Sequence, residues 1–337
     1  MVTLAEVARR ANVTAATVSN VLRNPKKVKP ATVERVMAAI RELGYRPNLT
    51  ARALAEGRTS TLALMLSNIT NPFYPEFVLA AEREARKRGH YLLASDTDDP
   101  AITRNYLERI AGTLAAGAIV MNTDLAEAEL ADIARHGAAI VLCMWEHVHA
   151  SRTLPCVTVD FAAAGALAAA HLSGLRHRAF GALVGKGSGG PQSMRLRGFA
   201  DELAARGHAP DAVTTVSAHD SIEGGYEAAA ALLRTKPGVT ALFATNDLMA
   251  IGAMQAAADL GRRVPADLSI VGMTDIQLAH QFRPVLTTVR FPTSLIAARA
   301  IALTLDMIDG IEPAAAVHTI GTPELVVRES TTTAPAR

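Results

Sequence analysis

Apolar residues recur at helical spacing three times within the first 44 positions, each run closed by a polar or glycine break. In "TLAEVARRANV" the stripe is Leu4, Val7 and Ala8, with Thr3 before it and Glu6 three residues after Thr3, the spacing of a capping box. Asn12 and Val13 break the pattern, and Thr14 then caps a second helix, "AATVSNVLRN", with Val18, Val21 and Leu22 on its apolar face. A third helix is predicted over about 31–43, with Val33, Val36, Met37 and Ile40 facing inward and Gly44 as its stop. The short break between the first two helices makes them cross steeply instead of lying antiparallel, which is a helix-turn-helix.

From Thr61 the period changes to short β-rich runs alternating with helices. Strands are predicted at 61–66, 90–95, 117–122 and 138–144, and again at 179–185, 213–217, 240–245 and 268–273. Such alternation builds parallel sheets covered on both faces, and two successive sets build two α/β lobes. Ligands of these sheets bind beyond the C-terminal ends of the strands, so the cleft between lobes is the expected binding site. "FAAAGALAAAHL" at 161–172 is too short and alanine-rich for a membrane span and reads as a packed helix.

Charge sharpens the division. Residues 1–60 hold eleven Lys and Arg against four Asp and Glu, a net +7, while the whole chain is only +2. A basic head on an acidic body is the footprint of a polyanion-binding module joined to something else. The second helix offers Thr14, Ala15, Ala16, Thr17, Ser19 and Asn20 to the major groove: small polar residues, an amide able to pair with a base edge, and methyls able to touch thymine. Arg23, Lys26, Lys27 and Lys29 suit phosphate contacts. The chain opens on a polar helical pattern without a secretory apolar core, and its two cysteines, Cys143 and Cys156, form no framework, so the cytoplasm is the expected compartment.

Two motifs invite other chemistry. "GKGSGG" at 185–190 fits a dinucleotide-binding glycine run, but Asp201 and Glu202 come too early for the acid that fingerprint needs, and the next acid after the following strand is Asp220. Cys143, Glu146, His147 and His149 have no closed metal-site spacing. Neither a catalytic residue, a metal nor a cofactor is expected. A transport solute-binding protein is disfavoured by the basic head and the opening sequence.

"VTLAEVARRANVTAATVSNVLRN", with "ELGYRPNLTARALAEGRT" after it, resembles the lactose and purine repressor family of bacterial transcription regulators, as do "NDLMAIGAMQAAADLGRRVPADLSIVG" at 246–272 and "RPVLTTVRFP" at 283–292. The resemblance implies a small all-α helix-turn-helix domain (1–46), a hinge (47–59) that folds on DNA, and a two-lobed periplasmic-binding-protein-like α/β sensing domain with parallel sheets (60–334). The lobes would be about 60–160 with 292–320, and 161–288 with 323–330. It places a minor-groove wedge on Leu54; Thr3, Tyr45, Asn48 and Arg52 complete the candidate DNA contacts. Effector contacts fall on Phe73, Tyr74, Met144, Trp145, Arg195, Asp220, Asn246, Thr274, Asp275 and Phe291.

Departures from the family bear on the ligand. Thr274 and Met144 stand where sugar-binding members commonly carry carboxylates, Asp220 where an aromatic often stacks, and Phe291 where glutamine is frequent. Arg195 is therefore expected to need an anionic partner, unless Asp220 serves instead of capping the helix that follows it. A small carboxylate-bearing or ring-containing effector is favoured, with a sugar as the alternative. The expected function is a ligand-responsive repressor, not an enzyme, that binds a palindromic double-stranded operator as a homodimer, away from any membrane.

Overall fold

A computed structural model of the chain describes residues 2–46, 59–97, 100–109, 114–121, 125–144, 153–185, 191–313 and 316–335, with backbone alone at Arg23, Pro100 and Pro191. The chain divides into two compact units, Met1–Thr59 and Ser60–Arg337.

In the first unit, α1 (Leu4–Arg10), α2 (Ala15–Arg23) and α3 (Pro30–Leu43) enclose Val7, Ala8, Ala11, Val18, Val21, Val36 and Ala39. The Thr3–Glu6 capping box closes α1 in both directions, and the Thr14 hydroxyl accepts from Thr17 N at 3.1 Å to start α2. Gly44 ends α3 at φ 63°, a left-handed turn that glycine adopts without steric cost. Met37 does not face inward: it is 37% exposed, and Ala39 is buried instead. With 3.6 residues per turn, Val36, Ala39, Ile40 and Leu43 share a face, and Met37 lies about 100° around from Val36.

The second unit contains two six-stranded sheets. The first runs β11-β5-β4-β3-β1-β2 and the second β12-β10-β9-β8-β6-β7. The first-sheet strands are β1 (Thr61–Leu66), β2 (Tyr91–Asp96), β3 (Gly117–Met121), β4 (Ala139–Cys143), β5 (Cys156–Thr158) and β11 (Val317–Thr319). The second holds β6 (Phe180–Gly185), β7 (Val213–Ala218), β8 (Ala241–Ala244), β9 (Ser269–Thr274), β10 (Thr287–Arg290) and β12 (Glu324–Val326). Every pairing is parallel except β10 with β12. Strands β3, β6, β8 and β9 are buried along their whole length, because helices cover both faces of a parallel sheet.

The covering helices are α4 (Phe73–Lys87), α5 (Pro100–Arg109), α6 (Glu127–Arg135), α7 (Phe161–Gly174), α8 (Pro191–Ala205), α9 (Ile222–Thr235), α10 (Asp247–Asp259) and α11 (Thr293–Ile308). The strand order makes the chain pass between sheets three times: after β5, after β10 and after β11. The alanine-rich segment at 161–172 is the packed helix α7, laid against α8 and strands of the second sheet. After the second crossing, α11 packs on α4, β3 and β4. No helix among the described residues is long and apolar enough to cross a membrane.

Candidate functional site

In the first unit, Ala15, Ala16 and Asn20 stand exposed on α2, with Thr17 and Ser19 half-buried beside them. Val18 and Val21 anchor the opposite face in the core, so the helix period that buries the valines presents Ala16 and Asn20 to solvent. Thr14 is exposed, and its hydroxyl lies 2.9 Å from that of Thr17, so capping occupies both side chains. Thr3 is likewise engaged with Glu6. Lys27 is exposed just past α2, and Tyr45 packs partly against the three-helix core. Asn48, Arg52, Leu54 and the Arg23 side chain lie outside the described residues.

In the second unit, the candidate effector residues follow strand C-terminal ends: Phe73 and Tyr74 after β1, Met144 after β4, Asp220 after β7, Asn246 after β8, and Phe291 after β10. Arg195 joins them from α8. It is buried, its guanidinium 5.2 Å from the centroid of Phe161 and 5.0 Å from that of Phe291, and its Nη1 donates to Thr245 O at 2.6 Å. Burial pushes it down to about 10, resisted by Asp220, Tyr74 and Asp247, so the group remains a cation at neutral pH. The influence of Tyr74, which follows a first-sheet strand, brings the first lobe to the site.

Asp220 does not cap α9; Ser221 does, accepting from Gly224 N at 3.0 Å. The carboxylate of Asp220 instead accepts from Gln192 Nε2 at 2.6 Å, and Gln192 Oε1 accepts from the Thr245 hydroxyl. Burial pushes the Asp220 carboxyl up, while Arg195, Gln192 and His219 draw it down. Gly185 makes this arrangement possible: a Cβ there would stand 2.1 Å from Asp220 Oδ1 and 2.6 Å from Gln192 Nε2. Of the glycine run, only Gly185 is described. The acid that follows the next strand is thus engaged with Gln192 and the field of Arg195.

Three polar atoms at this site are buried without a hydrogen-bond partner among the described residues: Arg195 Nε, Asp220 Oδ1 and Asn246 Nδ2. Asn246 Oδ1 is already used, accepting from Met249 N at 2.8 Å to cap α10. Two donors and one acceptor therefore converge at the C-terminal edge of the second sheet beside two aromatic rings. Unmet polar groups are costly in a folded interior, so the cluster is a candidate place for water or another molecule to supply the partners.

Other candidates are engaged elsewhere. Asp275 binds Arg328 Nη2 at 2.5 Å and Arg290 Nε at 2.7 Å, with His280 at 3.2 Å, so its carboxylate serves an ion network beside β10. Thr274, at φ 107°, donates to buried Asp247 at 3.4 Å. Phe73 is buried edge-on to Tyr74, whose hydroxyl accepts from Ser67. Met144 is buried. Trp145, Glu146, His147 and His149 lie outside the described residues; among those described, no group of His, Cys, Asp and Glu has the proximity to hold a metal. Sequence reasoning missed Phe161, Gln192 and Asp247; Asp247 was within reach, since it directly follows Asn246 in the quoted signature.

Residues 3–48 match the model of bacterial regulatory proteins of the lacI family, and residues 169–331 that of a periplasmic binding protein-like domain. The chain is 33% identical to the HTH-type transcriptional regulator GalR of Escherichia coli (strain K12), over 99% of this chain and 96% of that one. It is also 33% identical to the regulator DegA of Bacillus subtilis (strain 168), over 98% of each. Among solved structures, a complex of the transcriptional regulator CelR with cellobiose superposes with a TM-score of 0.74 at 29% identity, covering 98% of this chain and 100% of that one. The lac repressor dimer bound to operator and an anti-inducer shares the fold, with a TM-score of 0.85 at 24% identity over 98% and 99%. The basic three-helix head, the two-sheet body and this similarity along nearly the whole chain agree: the protein belongs to the LacI family of bacterial regulatory proteins and is a DNA-binding regulator of transcription.

Proposed function

We propose that the protein is a homodimeric repressor of bacterial transcription, active in the cytoplasm, which holds a palindromic operator through its 1–46 heads and binds a small hydroxylated effector between the lobes of its body. The buried cluster of Arg195 Nε, Asp220 Oδ1 and Asn246 Nδ2, two donors and one acceptor without partners among the described residues, carries the effector reading. A sugar hydroxyl satisfies both kinds, and Phe161 and Phe291 offer apolar walls for ring carbons. The cellobiose bound by the relative CelR supports this class. Asp220 already supplies the negative charge that Arg195 needs in a buried setting, which removes the reason for an anionic effector.

Base reading falls to Ala15, Ala16, Thr17, Ser19 and Asn20, and phosphate contacts to Arg23 and Lys27. Residues 47–59 serve as the hinge, with Leu54 as its wedge. Two-fold symmetry matches a palindrome by presenting two α2 helices to successive major grooves. Tyr91 and Leu93, large apolar side chains 63% and 40% exposed on the edge strand β2, favour association with a second copy.

A thermal-shift screen of pentoses, hexoses and disaccharides tests the effector reading. A ligand at a hundredfold its dissociation constant adds about 2.7 kcal/mol of stability, a clear upward shift. Stabilisation lost in Arg195→Ala is expected; a panel with no effect on the wild-type protein contradicts it.

A further inference from the structure

The three unmet groups differ in one respect that bears on which ligands enter. Arg195 Nε and Asn246 Nδ2 only donate, whereas Asp220 Oδ1 only accepts. Among the described residues no hydrogen bond joins Arg195 to Asp220; they act on one another through the field alone. A ligand atom that meets both must accept a hydrogen bond from Arg195 and donate one to Asp220. A hydroxyl oxygen does both. A carboxylate oxygen only accepts, and would set a second negative charge against that of Asp220.

Asp220 is also held in place. Its Oδ2 is fixed by Gln192 Nε2 at 2.6 Å, and Gln192 is in turn fixed by the Thr245 hydroxyl, which lies 3.3 Å from Gly185 N. The absence of a side chain at Gly185 lets the pair rest against the end of β6, since a Cβ would stand 2.1 Å from Oδ1. One oxygen of Asp220 is thus fixed, while the other is buried without a hydrogen-bond partner among the described residues.

We propose that Gln192 and Asp220 form a charge filter: Gln192 is a positioning residue that holds Asp220 beside Arg195, so that a hydroxyl bridging the two is accepted and a carboxylate in the same place is refused. This rests on the effector site proposed above and adds its selectivity. It makes the preference between a neutral sugar and its acid the property of two side chains, separable from overall affinity.

Calorimetry on the full-length protein reads the filter, using neutral sugars and their acids as matched pairs: glucose with glucuronate, galactose with galacturonate, ribose with ribonate, cellobiose with cellobionate. In the wild type, the neutral member of the binding pair is expected to bind at least about tenfold tighter. Asp220→Asn should weaken the neutral member and strengthen the acid, lowering the ratio by about tenfold or more. Gln192→Leu, similar in bulk, should lower the same ratio less, while general loosening of the fold would weaken both members alike. It also keeps the test available should Asp220→Asn fail to fold. An acid preferred by the wild type, or a ratio unchanged in the folded variants, overturns the filter while leaving the effector site standing. Failure of every pair to bind the wild type removes the effector site and the filter together.

Discussion

Asp247 is fully buried at the start of α10, where it accepts from Thr288 Oγ1 at 2.6 Å and Ile276 N at 2.9 Å. It therefore ties α10 to β10, the strand from which the chain passes to the other lobe. Burial pushes its carboxyl up to about 6, despite the hydrogen bonds that draw it down. A carboxyl with a raised folded-state pKa contributes stability that is fully present below its unfolded value, near 3.9, and is lost as pH rises through about 6. The loss from this group amounts to about 3 kcal/mol between those limits. Asp247→Asn should accordingly flatten the decline in stability between pH 4 and 7, as read by urea unfolding; an identical pH profile in the variant would contradict the assignment. In the head, Asn20→Ala is expected to change the preferred operator sequence, whereas Lys27→Ala weakens all sequences alike and lowers the salt slope by about 1. Binding-site selection on both variants checks this, and an unaltered sequence preference for Asn20→Ala would count against it. Arg195, Asn246 and Phe291 were legible from family motifs, and Asp220 as a possible companion of Arg195, but the contacts that place Asp220 were not. Asp220 lies 25 positions from Arg195 in the chain, and only folding sets it against Gln192 and Gly185. The ion pairs of Asp275 were hidden for the same reason: its partners Arg290 and Arg328 come from β10 and the C-terminal segment.

The helices of the head were readable at their starts because caps are local chemistry. Thr14→Ala should destabilise the head by about 1 kcal/mol, since Thr17 N loses its acceptor. Thermal melting of the head transition measures it, and an unchanged midpoint would mean that the cap contributes nothing. Six strands, β1, β3, β4, β6, β8 and β9, were visible as apolar runs because parallel sheets bury both faces, and the edge strands β2 and β7 were legible although partly exposed. The others, β5, β10, β11 and β12, were not, being three or four residues long and, in β10–β12, mixing polar with apolar positions. All four border the crossings between sheets. There, pairing is decided by distant segments: β11 joins β5 and β12 joins β10, contacts that no local period announces.

At the scale of the molecule, the basic head and the acidic body divide the work. A net +7 over residues 1–60 favours affinity for phosphate, and on the function proposed above the small polar face of α2 supplies choice among sequences. The body regulates only if its ligand has unequal affinity for the DNA-bound and free states. Within the body, Glu76 on α4 accepts from Gln277 N at 2.8 Å, a direct hydrogen bond between an element of the first lobe and one of the second. Ile276, next to Gln277, donates to Asp247, and Asp275 beside it holds Arg290, so this neighbourhood is joined by hydrogen bonds to the start of α10 and to β10. The most direct measurement is fluorescence anisotropy of an operator selected from random DNA, titrated with the full-length protein at several salt concentrations, with and without the stabilising sugar. The account predicts tight binding that discriminates against scrambled DNA, weakens steeply with salt, and shifts when the sugar is present. Binding that ignores sequence and salt, or that the bound sugar leaves unchanged, would contradict it.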